Sequence, residues 1–151
     1  MQYLNDRPTA LTLVGPDSAP FPMCIAGDAK QEAVDFFERA GYAQSPGMRV
    51  DVLKANHHGS CNNVNDRYLE LLRPSLVVAS LAGMNDHGHM HAQTKAAYAR
   101  HDIGWHPTDE HGTITLRSSG LPGERDTVSV ERPGVSLSGS SDRRSTQPGC
   151  R

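Results

Sequence analysis

The chain has 151 residues, enough for one domain with a hydrophobic core. Its net charge is -2 with histidine neutral, so charge gives no argument for a nucleic-acid footprint or an anionic membrane surface. A nucleic-acid substrate held through a metal site stays open. The spacing of the three cysteines is not typical of a Cys-x-x-Cys motif or a disulfide framework, and no apolar run reaches the roughly 18 residues of a membrane helix. With no signal-peptide pattern at its start, we expect a soluble cytoplasmic protein.

Hydrophobic periodicity predicts strands and helices that alternate along the chain. The first two strands are expected to form a hairpin, and Asp109 to Gly112 a tight turn between the last two. Beyond Ser119 the composition is rich in Ser, Gly, Pro and Arg, which predicts a disordered tail over residues 119–151 after a domain at 1–118. The predicted strands are 10–15, 22–26, 50–55, 76–82, 103–107 and 113–117, and the predicted helices 29–40, 65–72 and 92–101.

Alternating strands and helices indicate an α/β fold with a largely parallel sheet. Sites in such sheets form at the carboxyl ends of the strands. Three loops follow three successive predicted strands, at Gly27-Asp28, at residues 56–63 and at residues 83–91. If the strands are parallel, one carboxylate and five imidazoles meet at one edge, which is typical of a metal site. These side chains are Asp28, His57, His58, His87, His89 and His91.

Each of these residues also has a structural interpretation. Asp28, followed three residues later by Gln31, fits a helix capping box. His57 and His58 leave a strand as consecutive residues and should point in different directions. One can then bind a metal while the other contacts substrate or a second ion, or both can be ordinary loop histidines.

The remaining histidines divide into two groups. Alternation in "NDHGHMH" places His87, His89 and His91 on one side of an extended segment, which suggests contact with a metal or a phosphate, although chance in a polar loop also explains it. His91 alternatively begins the next helix, where its charged form can contact an anion. We assign structural roles to the other three, His101, His106 and His111.

Four segments together resemble the C-terminal half of metallo-β-lactamase-fold hydrolases, closest to the ComEC/Rec2-type competence proteins. They are "CIAGDAKQEAVDFF", "VDVLKANHHGS", "LRPSLVVAS…GHMH" and "TDEHGTITL", and the resemblance runs from about residue 10 to 117. It implies the C-terminal portion of an αββα sandwich, with a mixed sheet and helices on one face. It also implies a two-metal centre holding Zn²⁺, or in some members Mn²⁺.

The resemblance assigns roles to particular residues. Asp28, His57 and His58 match metal ligands, with one histidine of the pair also available to the substrate. His58, His89 and His91 are the catalytic candidates, because histidines at these positions can stabilise developing charge or protonate a leaving group. The family has proline between the last two histidines, whereas this chain has Met90.

One departure from the family decides how much activity to expect. The principal metal motif, His-x-His-x-Asp-His, is absent from the chain. We therefore expect a fragment whose missing N-terminal half or partner chain would supply further ligands and cover the open sheet, which left bare favours association or poor solubility. The first hypothesis is a metal-dependent hydrolase of phosphodiesters, such as those of DNA, rather than of β-lactams. The alternatives are a non-catalytic remnant or metal-binding module without turnover, and a small βαβ binding domain with a chance histidine cluster.

Overall fold

Short strands and helices alternate through most of the described chain. The computed structural model describes residues 11–13, 22–39, 49–83, 85–118 and 126–133. The strands are β1 Leu11–Leu13, β2 Met23–Ile25, β3 Val52–Lys54, β4 Leu76–Ala79, β5 Gly104–Pro107, β6 Ile114–Arg117 and β7 Thr127–Val130. The helices are α1 Gln31–Arg39, α2 Asp66–Leu72, α3 Ala92–Arg100 and the single turn α4 Thr108–His111, and two 3-10 turns lie at Asn56–Gly59 and Cys61–Asn63.

Five strands form one sheet in the order β1-β2-β3-β4-β5. Strand β1 is antiparallel to β2, and the other neighbours are parallel. Because each parallel strand lies beside the next one in the chain, right-handed crossovers place α1, α2 and α3 on the same face. The predictions of a mixed α/β fold and of a hairpin opening the sheet are confirmed.

The face of the sheet that the helices cover holds the hydrophobic core. Cys24, Leu53, Val77 and Trp105 lie side by side in the strand register, so their side chains share this face. The first three are buried, and Trp105 packs against them with part of its ring accessible. The helices contribute Val34, Leu69, Leu72 and Tyr98 to the same cluster.

The opposite face of the sheet is also apolar. Met23, Ile25, Leu76 and Val78 point to it and are half-buried, whereas Val52 near its centre is 2% exposed. Parallel sheets usually have both faces covered, so apolar residues on this second face are the expected pattern. Whether this surface causes association stays a prediction.

The region after β5 differs from the sequence prediction. Residues 109–112 do not form a hairpin turn, because Thr108–His111 form the helical turn α4. Strand β6 pairs antiparallel with β7 in a separate two-stranded sheet. Strand β7 lies in the stretch predicted to be disordered. Its alternation of a hydroxyl residue with Val, in Thr-Val-Ser-Val, favours a strand, although the surrounding polar composition obscures this signal.

Several boundaries shift by a few residues. Helix α1 begins at Gln31 rather than at residue 29, so Asp28 is not the residue directly before the helix, and β4 ends at Ala79 rather than at 82. The predicted end of the first helix at residues 40–41 and most of the predicted tail lie outside the described residues. Within the described ranges, none of the helices combines the length and the apolar character needed to cross a bilayer.

One ion-pair group joins the start of α2 to the end of α3. Asn65 caps α2, since its side chain accepts a hydrogen bond from the Tyr68 backbone N–H at 2.7 Å. The Asp66 carboxylate then accepts from Arg100 at 2.8 Å and contacts His101 Nε2 at 3.0 Å. The hydrogen bond from Arg100, with that from His101, lowers the pKa of Asp66. This gives His101 a structural partner, as the sequence predicted.

Replacing Asp66 by Asn should make stability less dependent on acid pH. Because the pKa of Asp66 is lower in the folded chain than the unfolded value of about 3.9, its contribution is complete above that value and is lost as pH falls through the folded pKa. We expect the melting temperature of the wild type to exceed that of Asp66→Asn at pH 6, by a margin that shrinks towards pH 3. Asp102→Asn, at another exposed carboxylate, is the control for the removal of one negative charge. A margin for Asp66→Asn that is the same at both pH values would contradict the assignment.

Candidate active site

Three loops meet at the carboxyl edge of the parallel strands, and backbone hydrogen bonds join them. The His57 N–H donates to the Gly27 carbonyl at 2.9 Å, which connects the loop after β3 to the loop after β2. The His91 N–H donates to the Gly59 carbonyl at 3.1 Å, which connects the third loop to the second. The convergence expected from a parallel sheet is therefore present in the described backbone.

The backbone at the His57-His58 pair explains how both rings face the same cluster. Both residues have left-handed backbone angles, with φ of 44° and 57°, and Gly59 follows with φ of 83°. Consecutive non-glycine residues rarely adopt this conformation, and such strain is concentrated at functional sites. The two ring centroids lie 6.3 Å apart. The expectation that the two side chains point in different directions assumed an extended backbone, which this pair does not have, and it stays a prediction.

His89 lies at the centre of an imidazole cluster. The centroid of its ring is 5.3 Å from that of His57, 6.3 Å from His58, 5.6 Å from His87 and 5.0 Å from His91. Burial, reinforced by the neighbouring imidazoles, lowers the pKa of His89 to about 4, so its ring is neutral at pH 7. Five of the six residues predicted to converge are thus in one group.

Asn85 holds His89 in place through the backbone. The Asn85 side-chain oxygen accepts from the His89 N–H at 2.8 Å, and its side-chain nitrogen donates to the His89 carbonyl at 2.7 Å. A second bond from the same nitrogen reaches the Ala82 carbonyl at 3.0 Å. The sequence analysis did not predict this role. The Asn-Asp pair at the start of the loop is a turn signal from which it could have been inferred.

Asp28, the sixth predicted residue, contacts the cluster through His58. His58 Nε2 lies 3.4 Å from Asp28 Oδ1, while its Nδ1 hydrogen bonds to the Ser80 backbone carbonyl. Because a carbonyl only accepts, Nδ1 must carry the proton, and in the neutral ring Nε2 presents a lone pair to the carboxylate. Histidine ligands of metals are commonly oriented in this way, by a backbone carbonyl on the other ring nitrogen.

The spacing of this pair fits two ligands of one metal ion. Ligands at about 2.0–2.1 Å from a tetrahedral zinc are about 3.3 Å from each other, close to the 3.4 Å observed. The His58 and Asp28 side chains are 42% and 55% exposed, so solvent can reach them. Among residues 22–39, 49–83 and the other described ranges, no group of three or more His, Cys, Asp or Glu side chains is arranged to hold a metal. The described residues thus bring one carboxylate and one imidazole together at this spacing, and whether they bind a metal stays a prediction.

His57 has a different environment from His58. Its Nδ1 is buried and has no hydrogen-bond partner in the described structure. Burial lowers the pKa of His57, and the nearby Asp28 carboxylate opposes the shift. An unpartnered buried ring nitrogen next to a carboxylate is suited to a ligand or a substrate group. Its predicted role as a metal ligand stays a prediction.

His91 uses both ring nitrogens within the chain. Its Nδ1 accepts from the Cys61 backbone N–H at 3.1 Å, and its Nε2 contacts the His87 carbonyl at 3.0 Å. These two bonds require the neutral tautomer with the proton on Nε2. In this structure His91 connects the second and third loops, and its predicted catalytic role would require one of these bonds to open.

The end of the fourth parallel strand carries a further polar group that sequence reasoning treated as structural. The rings of His106 and His111 are 4.7 Å apart, and His111 is buried at 2% exposure. Burial raises the pKa of Asp109, whose Oδ1 has no hydrogen-bond partner in the described part of the chain. Thr108 joins this group to the loop after β4, since its hydroxyl contacts both the N–H and the carbonyl of Leu81 at 2.9 Å.

Comparison with known proteins gives one informative relative. Over 90 residues, or 60% of the chain, the sequence is 30% identical to ComE operon protein 3 of Bacillus subtilis (strain 168). The matched region spans only 11% of that protein. No family model matches the chain, and no solved structure matches it.

Replacing Gly59 by Ala should disrupt the junction between the second and third loops. A Cβ at this position would overlap the Met90 side chain, with Met90 Cβ itself at 3.1 Å, and Met90 is only 1% exposed. Crowding in a packed interior and the left-handed backbone together should reduce the free energy of unfolding by about 2–4 kcal/mol. Denaturant unfolding measures this loss.

The control for Gly59→Ala is Gly27→Ala. Gly27 also has a positive φ, of 58°, but a Cβ there would meet nothing within 4 Å. Only the backbone cost of about 1 kcal/mol is then expected. Equal losses in the two variants would show that the contact between Gly59 and Met90 contributes nothing.

Proposed function

We propose that this chain is the C-terminal part of a metal-dependent hydrolase domain of the metallo-β-lactamase fold, acting on phosphodiester bonds in a competence-related role. The single observation that carries the proposal is the Asp28–His58 pair. Its 3.4 Å spacing and the hydrogen bond from His58 to the Ser80 carbonyl support the proposal, because two ligands of one zinc ion lie about 3.3 Å apart and histidine ligands are commonly held by a backbone carbonyl. The similarity to ComE operon protein 3 supports the competence-related role.

The fold supports the same proposal. Asp28, His58 and the rest of the imidazole cluster lie where parallel α/β sheets place their sites. The apolar second face of the sheet is suited to packing against another layer, as in a sandwich of two sheets. Since the chain spans about a ninth of its matched relative, further ligands on another segment are consistent with the incomplete set found here.

The chain's own residues would divide the work at this site. Asp28 and His58 would hold a zinc or manganese ion, which lowers the pKa of a bound water and polarises a phosphoryl oxygen. His57, with its buried unpartnered Nδ1, would contact the metal or the substrate. His89 is neutral at pH 7 and keeps one ring N–H that can donate a hydrogen bond to an oxyanion.

A second candidate is a metal-binding module without turnover. It is favoured by the absence of a third ligand among the described residues and by the missing His-x-His-x-Asp-His motif. Both candidates require a metal at Asp28 and His58, and they differ in whether the bound ion acts on a substrate. Zinc binding and phosphodiester turnover therefore have to be measured on the same preparations.

Zinc should bind the wild-type chain at about one ion per chain and bind the Asp28→Asn and His58→Gln variants at least tenfold more weakly. The first substitution replaces the carboxylate by a neutral amide, and the second replaces the imidazole by an amide. Both new side chains are weaker zinc ligands. Titration calorimetry on metal-free protein measures the affinity, and elemental analysis measures the content. His101→Gln is the matched control, because His101 lies at the end of α3 and contacts Asp66 instead.

The same four proteins are then assayed with bis(p-nitrophenyl) phosphate. Turnover by zinc-loaded wild type and His101→Gln, lost in the other two variants, would support the hydrolase. Zinc binding without turnover would support the module. A folded wild-type chain that binds no zinc, or whose affinity is unchanged by both substitutions, would overturn the metal site and both candidates with it.

A further inference from the structure

Lys54 is a half-buried cation beside the candidate site, and the proposed metal ligands give it no role. It is the last residue of β3 and precedes His57 by three positions. In the strand register it lies between Ile25 and Val78, so its side chain leaves the sheet on the second, apolar face. A lysine among apolar neighbours at a strand end is costly unless its charge is used.

Nothing in the described structure neutralises Lys54 directly. Among the described residues, no carboxylate lies within 4.0 Å of its ammonium. Burial lowers the pKa of Lys54, and the nearby carboxylate of Asp28 opposes this shift. The ammonium is therefore partly desolvated, within the electrostatic reach of the metal-ligand pair, and not paired with it.

We propose that Lys54 binds an oxyanion of the substrate, of the phosphate type, next to the Asp28–His58 pair. The inference rests on the proposed function, since it assigns the substrate's charge to that same site. A compact ammonium donates up to three hydrogen bonds and suits a phosphate as a point charge. Partial burial strengthens such a contact, because water competes less for the charge.

The placement also explains why this position needs a long cation. The neighbouring positions on β2 and β4 in the same row are Ile25 and Val78, which offer no polar group to an anion. The loop imidazoles stand beyond the strand end, around His89. A four-carbon stem can pack along the apolar row while its ammonium reaches the edge where these rings lie.

The test measures binding of inorganic phosphate to the full chain by titration calorimetry at pH 7 and low ionic strength. Lys54→Met keeps the length and apolar packing of the stem and should raise the dissociation constant for phosphate about tenfold, the effect of losing one charge-assisted hydrogen bond. Its melting temperature should equal or exceed that of the wild type, because a partly desolvated charge is removed. Lys54→Arg should retain most of the binding.

Lys30→Met is the matched control. Lys30 is exposed and close enough to affect the pKa of His57, so it carries the same charge near the same site. It should change the dissociation constant less than twofold. An equal loss in both variants would indicate general attraction rather than contact and would overturn the proposal. Wild-type protein without saturable phosphate binding, or Lys54→Met with unchanged binding, would also overturn it.

Zinc affinity of the same variants separates this inference from the proposed function. Lys54→Met should bind zinc at least as tightly as the wild type does, since Lys54 is not a ligand and its removal takes away a nearby positive charge. A wild type that binds phosphate through Lys54 but binds no zinc would remove the proposed hydrolase and leave the anion site. If the wild type binds zinc through Asp28 and His58 but its phosphate binding does not depend on Lys54, the proposed metal site stands and the proposed anion site is overturned.

Discussion

The candidate site depends on the parallel pairing of β2, β3 and β4. Each of these strands is only three or four residues long, and each ends at the same edge of the sheet. Parallel direction alone brings Asp28, His57 and His89 together, although they are separated by tens of residues in the chain. Reversing any one strand would move its loop to the far edge and separate these side chains. The core row of Cys24, Leu53 and Val77 stabilises this pairing by burying its side chains under the helices.

The sheet and its helices were predictable because their signals are local and strong. The apolar run at β4, the amphipathic segment of α1 and the Asn65 cap of α2 agree with the tertiary structure. The region after β5 was less predictable. The pairing of β6 with β7 joins segments separated by a loop, and the alternation in Thr127–Val130 is too short to stand out from its polar surroundings. Whether such a segment forms a strand depends on its tertiary contacts and not on its composition.

The candidate site was also predictable in part. Topology was sufficient to place Asp28 and the loop histidines at one edge. Which nitrogen of each ring is available was not predictable, because it depends on backbone partners such as the Ser80 carbonyl for His58 and the Cys61 N–H for His91. The left-handed angles of His57 and His58 were also hidden, since glycine and asparagine are the usual residues there. The half-buried position of Lys54 follows from the strand register, which places it between Ile25 and Val78. The hydrophobic pattern of the sequence does not predict a role for it.

The bonds made by His91 have a consequence for how the edge of the sheet opens. Its backbone N–H holds the Gly59 carbonyl, its ring accepts from Cys61, and its other nitrogen holds the His87 carbonyl. The hydrogen bonds of His91 therefore connect two loops that are 30 residues apart in the chain. Neither loop can move away from the sheet edge without breaking these bonds. Fluctuations here should be cooperative: the second and third loops would exchange their amide hydrogens together, as one unit of local unfolding. Access to the imidazoles would then be all-or-none rather than graded.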